Sequence, residues 1–282
     1  MSLKHYKPTS KSQRGRVSLN FRALLSGHRP HKPLTRGKNK TGGRNFHGRI
    51  TMRHKGGGHK KAYRVVDFRF DKKNVPAKIT SIEYDPFRSA FIGLAIYRDG
   101  EKRYVLLPQK VQVGDTFVVS ENAPLKPANR LPLANIPVGT FVYNVEVKPD
   151  GGGVLARSAG NFAEVVAQDA GYTHLKMPST EVRRIISTAW ASVGEVSNEE
   201  HRLVVVSKAG RTRWKGIRPT VRGTAMNPVD HPHGGGEGRQ GRGHRIQRTL
   251  WGKPSGKGQK TRRPKKYSNV FIVSRRKVGK RK

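Results

Sequence analysis

FIGLAIYRDGEKRYVLL, residues 91–107, decides the fold class. Two short runs rich in Ile, Leu, Tyr and Val, 91–97 and 103–107, flank Asp99-Gly100. That dipeptide favours a two-residue hairpin loop, because a type I′ turn needs φ > 0 at both central positions. The same reading extends outward. AYRVVDFRF (62–70), AKITSIEY (77–84) and TFVV (116–119) complete one group of strand-length runs. FVYNVEV (141–147), FAEVVAQ (162–168), YTHLKM (172–177), EVRRIIS (181–187) and RLVVV (202–206) form a second. No run sustains a helical stripe over a dozen residues. Between the groups, Pro124, Pro127, Pro132 and Pro137 read as a linker, since proline cannot donate to a central ladder. Five short strands per group predict an all-β protein built from two small barrels.

Charge sets the partner. The chain has 282 residues, 58 Lys and Arg, 18 Asp and Glu, and a formal net charge of +40. Residues 1–61 hold 17 Lys and Arg and no acid, and residues 208–282 hold 23 Lys and Arg against Asp230 and Glu237. The segment between them, 62–207, is nearly neutral, with 18 bases and 16 acids. Both flanks are rich in glycine and poor in apolar periodicity, so each reads as an extended arm that orders on a polyanion rather than around its own core. Folded RNA is the polyanion that two long arms nearly free of acids fit best. With no Cys there is no disulfide framework and no thiolate metal site. No apolar run reaches membrane-span length, and MSLKHYKPTSKSQRGR lacks the apolar stretch of a secretory signal.

The motifs that suggest chemistry have plainer readings. Gly236-Glu237-Gly238-Arg239-Gln240-Gly241 matches G-x-G-x-x-G, but its flanks read as neither strand nor helix, so it is a chance match. Asp230, His231, His233 and His244 could be a metal cluster, yet a cationic, glycine-rich arm repels a divalent cation and offers no second shell. His231 and His233 are the only candidates for acid–base catalysis, and no nucleophile accompanies them. Both are expected instead to stack on bases or to bond phosphate and 2′-OH groups. Gly56-Gly57-Gly58 and Gly234-Gly235-Gly236 lie among His54, Lys55, His59, Lys60, His233 and Arg239, and are expected to bring backbone N–H groups close to RNA. Trp214 and Trp251, inside basic runs, read either as base-stacking rings or as anchors for the arms. Loop cations on the barrels, chiefly Arg64, Arg88, Arg103 and Arg157, are expected to add contacts, with Arg88 and Arg157 projecting outward.

These residues also carry a resemblance. VRGTAMNPVDHPHGGGEGR (221–239), GRITMRHKGGGHKKAYRVVDF (48–68), IEYDPFRSA (82–90), LPLANIPVGTFVYNVE (131–146), GGVLARSAGNFA (152–163) and RWKGIRPTVRG (213–223) resemble the family of the universal second protein of the large ribosomal subunit, in its bacterial form. After Arg239 the run QGRGHRIQRTLWGKPSGKGQ departs from the family pattern, and SRRKVGKRK extends past its usual end. The resemblance implies a basic arm over 1–61, an OB-like barrel over 62–123, an SH3-like barrel with a Pro-rich lead-in over 124–207, and a basic arm over 208–282. It implies a primary binder of large-subunit rRNA, a place near small-subunit rRNA at the subunit interface, other ribosomal proteins as neighbours, and no membrane. It places the chain on a ribosome in the cytoplasm, with an organellar ribosome left open, and it implies no cofactor. The RNA-contact set it supports is Arg44, Arg49, His54, Lys55, His59, Lys60, Lys61, Arg64, Arg88, Arg103, Arg157, Arg213, Trp214, Lys215, Arg218, Arg222, His231, His233 and Arg239. The family is linked to subunit association, tRNA binding and peptide-bond formation. A contested peptidyl-transferase role has been attached to a His of its Asp-His-Pro-His run, here His231 or His233. A free nucleic-acid-binding regulator is the third alternative, but no compact reading element is visible in the sequence.

Overall fold

A computed structural model describes residues 3–27, 29–256 and 261–276; residues 277–282 of the C-terminal extension lie outside them. Four strands come from the first 64 residues: β1 (Leu3–His5), β2 (Val17–Leu19), β3 (Thr35–Gly37) and β4 (Ala62–Arg64). The first barrel is built on β5 (Ala77–Glu83), β6 (Ile92–Tyr97), β7 (Lys102–Leu106) and β8 (Thr116–Phe117), hydrogen-bonded in the order β7-β6-β5-β8. In β5 the side chains of Ala77, Ile79, Ser81 and Glu83 are buried while those between them are not, the period-2 pattern of a half-buried strand. Its core gathers Phe70, Ile79, Tyr97, Val105, Leu107, Phe117 and Val119.

The β6–β7 hairpin forms as expected, with a different turn. Tyr97 N donates to Glu101 O at 2.9 Å, Gly100 N donates to Tyr97 O at 2.9 Å, and Gly100, at φ +85°, is the loop residue in the left-handed region. This is a type I turn closed by a glycine bulge, not a two-residue type I′ loop. Asp99 has no positive φ to supply; its Oδ1 instead accepts from Glu101 N at 3.2 Å.

The second barrel contains β9 (Arg130–Pro132), β10 (Phe141–Tyr143), β11 (Val145–Glu146), β12 (Gly153–Leu155), β13 (Ala163–Asp169), β14 (Tyr172–Lys176), β15 (Val182–Ile186) and β16 (Trp190–Val193), joined by β17 (Ile272–Ser274). Its main sheet runs β17-β15-β14-β13-β10-β16-β9, and its core includes Leu131, Leu133, Ile136, Val142, Val165, Leu175 and Ala191. The chain is thus all-β, an OB-like barrel followed by an SH3-like barrel, with two short α-helices, Phe21–Leu24 and Ala209–Trp214, among the described residues.

Three expectations are corrected here. The Pro-rich stretch is no free linker: Arg130–Pro132 is the edge strand β9, where Pro132 is tolerated, and Leu131, Leu133 and Ile136 are core residues. RLVVV is not a strand. Residues Glu199–Leu203 form a 3-10 turn, and only Val205 bridges to Val17. The strand of this region is β16, whose four residues are all buried and therefore show no alternation. The flanks also do more than trail. β1 pairs with β2, β3 with β4, and β17 adds to β15.

One buried ion pair sits within the barrel body. Arg130 and Glu146 are each 1% exposed, with Nη2 to Oε1 at 2.8 Å. Arg130 Nη1 also donates to Asn144 O at 2.9 Å, and its guanidinium lies 4.9 Å from the Phe70 ring centroid.

Candidate nucleic-acid interface

Residues 40–59 and 209–267 form a compact body distinct from the barrels. This body holds 21 Lys and Arg against two acids, Asp230 and Glu237. It has no apolar core cluster among the described residues, so backbone pairing holds it together. Lys55 bridges Ile217; Gly56 N donates to Gly216 O at 3.0 Å, His59 N to Trp214 O at 2.9 Å, and Arg218 N to His54 O at 3.1 Å. The glycine triplet makes this approach possible. A β-carbon on Gly58, at φ +76°, would lie 2.6 Å from both Gly216 N and Trp214 O. Lys40 Nζ caps the Gly57 carbonyl at 3.1 Å and also donates to that of Gly58.

The consequence is a preformed cationic surface. Arg44, Arg49, His54, Lys55, His59, Arg213, Trp214, Lys215, Arg218, Arg222 and Arg239 are all exposed. Trp214 is 51% exposed and its ring centroid stands 6.0 Å from that of His59; Trp251 is 75% exposed. Neither indole is buried as an anchor.

The Asp-His-Pro-His run behaves differently. His233 is 8% exposed. Its Nε2 accepts from Arg248 N at 3.1 Å, and its own N–H donates to His231 Nδ1 at 3.0 Å. Burial, together with the positive surroundings of His231, His244, Arg242 and Arg248, holds the His233 imidazole below the ordinary histidine range. A neutral ring is what an acceptor Nε2 requires. His231 packs under Gly223, where a β-carbon would lie 2.4 Å from the ring. Gly234 N donates to His231 O at 2.8 Å, and Gly235 N to Met226 O at 3.2 Å. The two histidines are therefore tied into their own loop, and His233 does not reach solvent to stack on a base. Among the described residues no group of three or more His, Asp or Glu is placed to hold a metal ion.

On the barrels, Arg157 is exposed, donates to Gly153 O at 3.0 Å and lies 4.5 Å from the Phe68 ring centroid. Lys60 is exposed, Lys61 donates to Pro86 O at 3.2 Å, and Arg64 to Ala62 O at 2.9 Å. Arg88 does not project. Its side chain is 16% exposed and its Nε sits 2.8 Å from the buried carboxylate of Asp85, while desolvation lowers its pKa. Arg103 is held by three carboxylates. It contacts Asp67 at 2.8 Å, Glu101 at 2.6 Å, and Asp71. The hydrogen bond that Arg103 donates to Asp71 leads in raising the Arg103 pKa, and the same bond lowers that of Asp71. Turn position alone could not reveal these acids, because Asp67 and Asp71 approach from a different strand region.

Comparison with known proteins meets this geometry. The RNA-binding N-terminal domain of the ribosomal L2 proteins matches residues 31–120, and their C-terminal domain matches 126–252. The large ribosomal subunit protein uL2 of Parvibaculum lavamentivorans is 53% identical over 275 residues, covering 98% of each chain. The chain belongs to the ribosomal protein L2 family. It is of the bacterial type, a structural constituent of the large ribosomal subunit that binds rRNA. For an L2 protein the division of charge acquires a direct meaning: the body of 40–59 and 209–267 holds 21 Lys and Arg against only two acids.

Proposed function

We propose that the arms, 1–61 and 208–282, carry the principal rRNA contacts, and that the barrels over 62–123 and 124–207 add contacts of their own. The observation that carries this reading is the compact body of 21 cations and two acids, pinned by backbone pairing, with Arg44, Arg49, Lys55, Arg213, Lys215, Arg218, Arg222 and Arg239 exposed. Arg44, Arg49, His54, Lys55, His59, Lys60, Lys61, Arg64, Arg157, Arg213, Trp214, Lys215, Arg218, Arg222 and Arg239 face phosphate, ribose or bases. Arg88 and Arg103 serve the barrel, and His231 and His233 shape the loop that displays Arg222 and Arg239. The protein has no catalysis of its own. Its site is a cytoplasmic ribosome, at the face toward small-subunit rRNA, with other ribosomal proteins as neighbours and no membrane. The family match supports ribosomal placement, and the acceptor role of both imidazoles supports the non-catalytic reading.

The test is the salt dependence of binding to a large-subunit rRNA transcript. Each phosphate neutralised contributes about −0.7 to −0.9 to the slope of log K against log salt. Arg157→Ala should make the slope shallower by about one such step, whereas Arg103→Ala should leave it unchanged and lower barrel stability. Equal slopes for wild type and Arg157→Ala would refute the barrel contact.

A further inference from the structure

Phe46 is 92% exposed, in a chain whose other phenylalanines include Phe70, Phe91 and Phe117 at 5% or less. It stands at the tip of an ordered loop. Arg44 bridges Ile50, Asn45 N donates to Arg49 O at 2.9 Å, and Gly48 N donates to Asn45 O at 3.0 Å. The Asn45 side chain closes the turn by accepting from Arg49 N at 3.0 Å. Below the tip, Thr51 N and Met52 N both donate to Gly43 O at 3.0 Å, an approach only glycine permits, because a β-carbon there would lie 2.0 Å from Met52 O. The His47 ring props the phenyl ring from the side, with centroids 3.8 Å apart and planes inclined at 41°. A rigid turn therefore displays an aromatic ring that adds almost nothing to the fold. Arg44, Arg49 and Arg53 flank it, and no acid occurs in residues 1–61.

The geometry points to Phe46 as a stacking wedge for an unpaired nucleobase in folded rRNA. This rests on the RNA-binding reading above and adds the class of nucleotide to it. An A-form duplex keeps its bases stacked inside and its major groove too deep and narrow for side chains. Loops and bulges present splayed bases whose faces an aromatic ring can cover. Because the turn is preformed, the ring loses little freedom on binding. The neighbouring arginines neutralise the phosphates on either side of the flipped base. Ile50 and Met52, 57% and 58% exposed, extend the apolar shoulder of the same loop.

Stacking and phosphate contact are separable, because only the second releases counterions. The experiment measures binding of the full chain to a large-subunit rRNA transcript, and to a fully paired RNA duplex, over a range of salt. Phe46→Ala should weaken binding to the transcript by about 10- to 100-fold at every salt concentration, with the slope unchanged. Its affinity for the duplex should equal that of wild type. Arg49→Ala should instead make the slope shallower by about 0.7–0.9. Phe46→Tyr and Phe46→Trp should restore most of the loss, and Phe46→Leu should not. Thermal unfolding of Phe46→Ala should match wild type, since the ring is solvent-exposed. Unchanged transcript affinity in Phe46→Ala, an equal loss on the duplex, or full rescue by leucine would each overturn the proposal. If wild type itself showed no salt-dependent binding to the transcript, the RNA-binding reading would fall and the wedge with it.

Discussion

Replacing Gly58 with alanine tests whether the basic surface is preformed. The new β-carbon would stand 2.6 Å from Gly216 N and Trp214 O and 2.8 Å from Gly216 Cα, all of them backbone atoms that cannot rotate away. Residues 54–59 and 214–218 must then separate, which breaks the bonds His59 N to Trp214 O, Gly56 N to Gly216 O and Arg218 N to His54 O. At about 1 kcal/mol each, their loss costs about 2–3 kcal/mol. The left-handed φ of +76° adds about 1–2 kcal/mol for any residue with a β-carbon. Gly252→Ala is the matched control: its φ is +75° and nothing lies within 4 Å of the added atom, so it carries the strain alone. Gly58→Ala should therefore exceed the control by about 2–3 kcal/mol, about 30- to 150-fold in the local opening equilibrium. Native-state hydrogen exchange at the Gly56, His59 and Arg218 amides reads that ratio directly. Equal protection in the two variants would show that the paired segments do not order the surface, and the reasoning would be refuted.

Arg130→Ala leaves the Glu146 carboxylate buried without its counter-charge and should cost about 3–5 kcal/mol in urea unfolding. The apolar pair Arg130→Met with Glu146→Leu should recover most of it, and an equal loss in both would contradict the ion-pair account. His233 gives a pH dependence of known sign. Its imidazole lies below the ordinary histidine value of about 6.5 expected in an unfolded chain, so the folded loop binds fewer protons and is stabilised more as pH rises. That contribution is complete above the unfolded value and is lost as pH falls through the folded one. The protection factor of the Arg248 amide should drop on acidification across that window, and His233→Ala should abolish the dependence; a flat profile in the wild type would refute the acceptor role.

Strand existence was legible wherever one face is buried and the other wet. AKITSIEY and YTHLKM became β5 and β14 because alternation survives in a half-buried strand. β16 was not legible, because four consecutive buried residues carry no period. RLVVV misled for the opposite reason: three valines read as strand, but the chain there turns through Glu199–Leu203. At the candidate site, the cationic residues were legible from charge and glycine alone. What those residues touch was not. His231 and His233 are two positions apart and look equivalent in sequence, yet His233 reaches a partner fifteen residues away at Arg248. Arg103 finds Asp67 and Asp71 across more than thirty positions. Contacts of this kind depend on topology, which local pattern does not encode.

The placement of acids explains why the same chain can hold a folded core and an RNA surface. Sixteen of the 18 acids lie in 62–207. There Asp67, Asp71 and Glu101 neutralise Arg103, Asp85 faces Arg88, Glu146 pairs with Arg130, Glu164 with Lys176 and Glu181 with Arg183. Seven of the 18 barrel cations, Lys72 and Lys73 included, are thus spent on ion pairs within the barrels. The body of 40–59 and 209–267 has only two acids and, among the described residues, no apolar core, and would repel itself if its shape depended on side-chain packing. Close glycine-mediated backbone pairing removes that dependence, since N–H to carbonyl bonds form whatever charge the side chains carry. Arg44, Arg49, Lys55, Arg213, Lys215, Arg218, Arg222 and Arg239 are then exposed to solvent. Phosphate is the ligand that completes such a surface, and the energy it contributes is electrostatic and salt-dependent, whereas the stability of the barrels comes from buried apolar contacts that salt does not screen. Raising the salt should therefore release the RNA while both barrels stay folded.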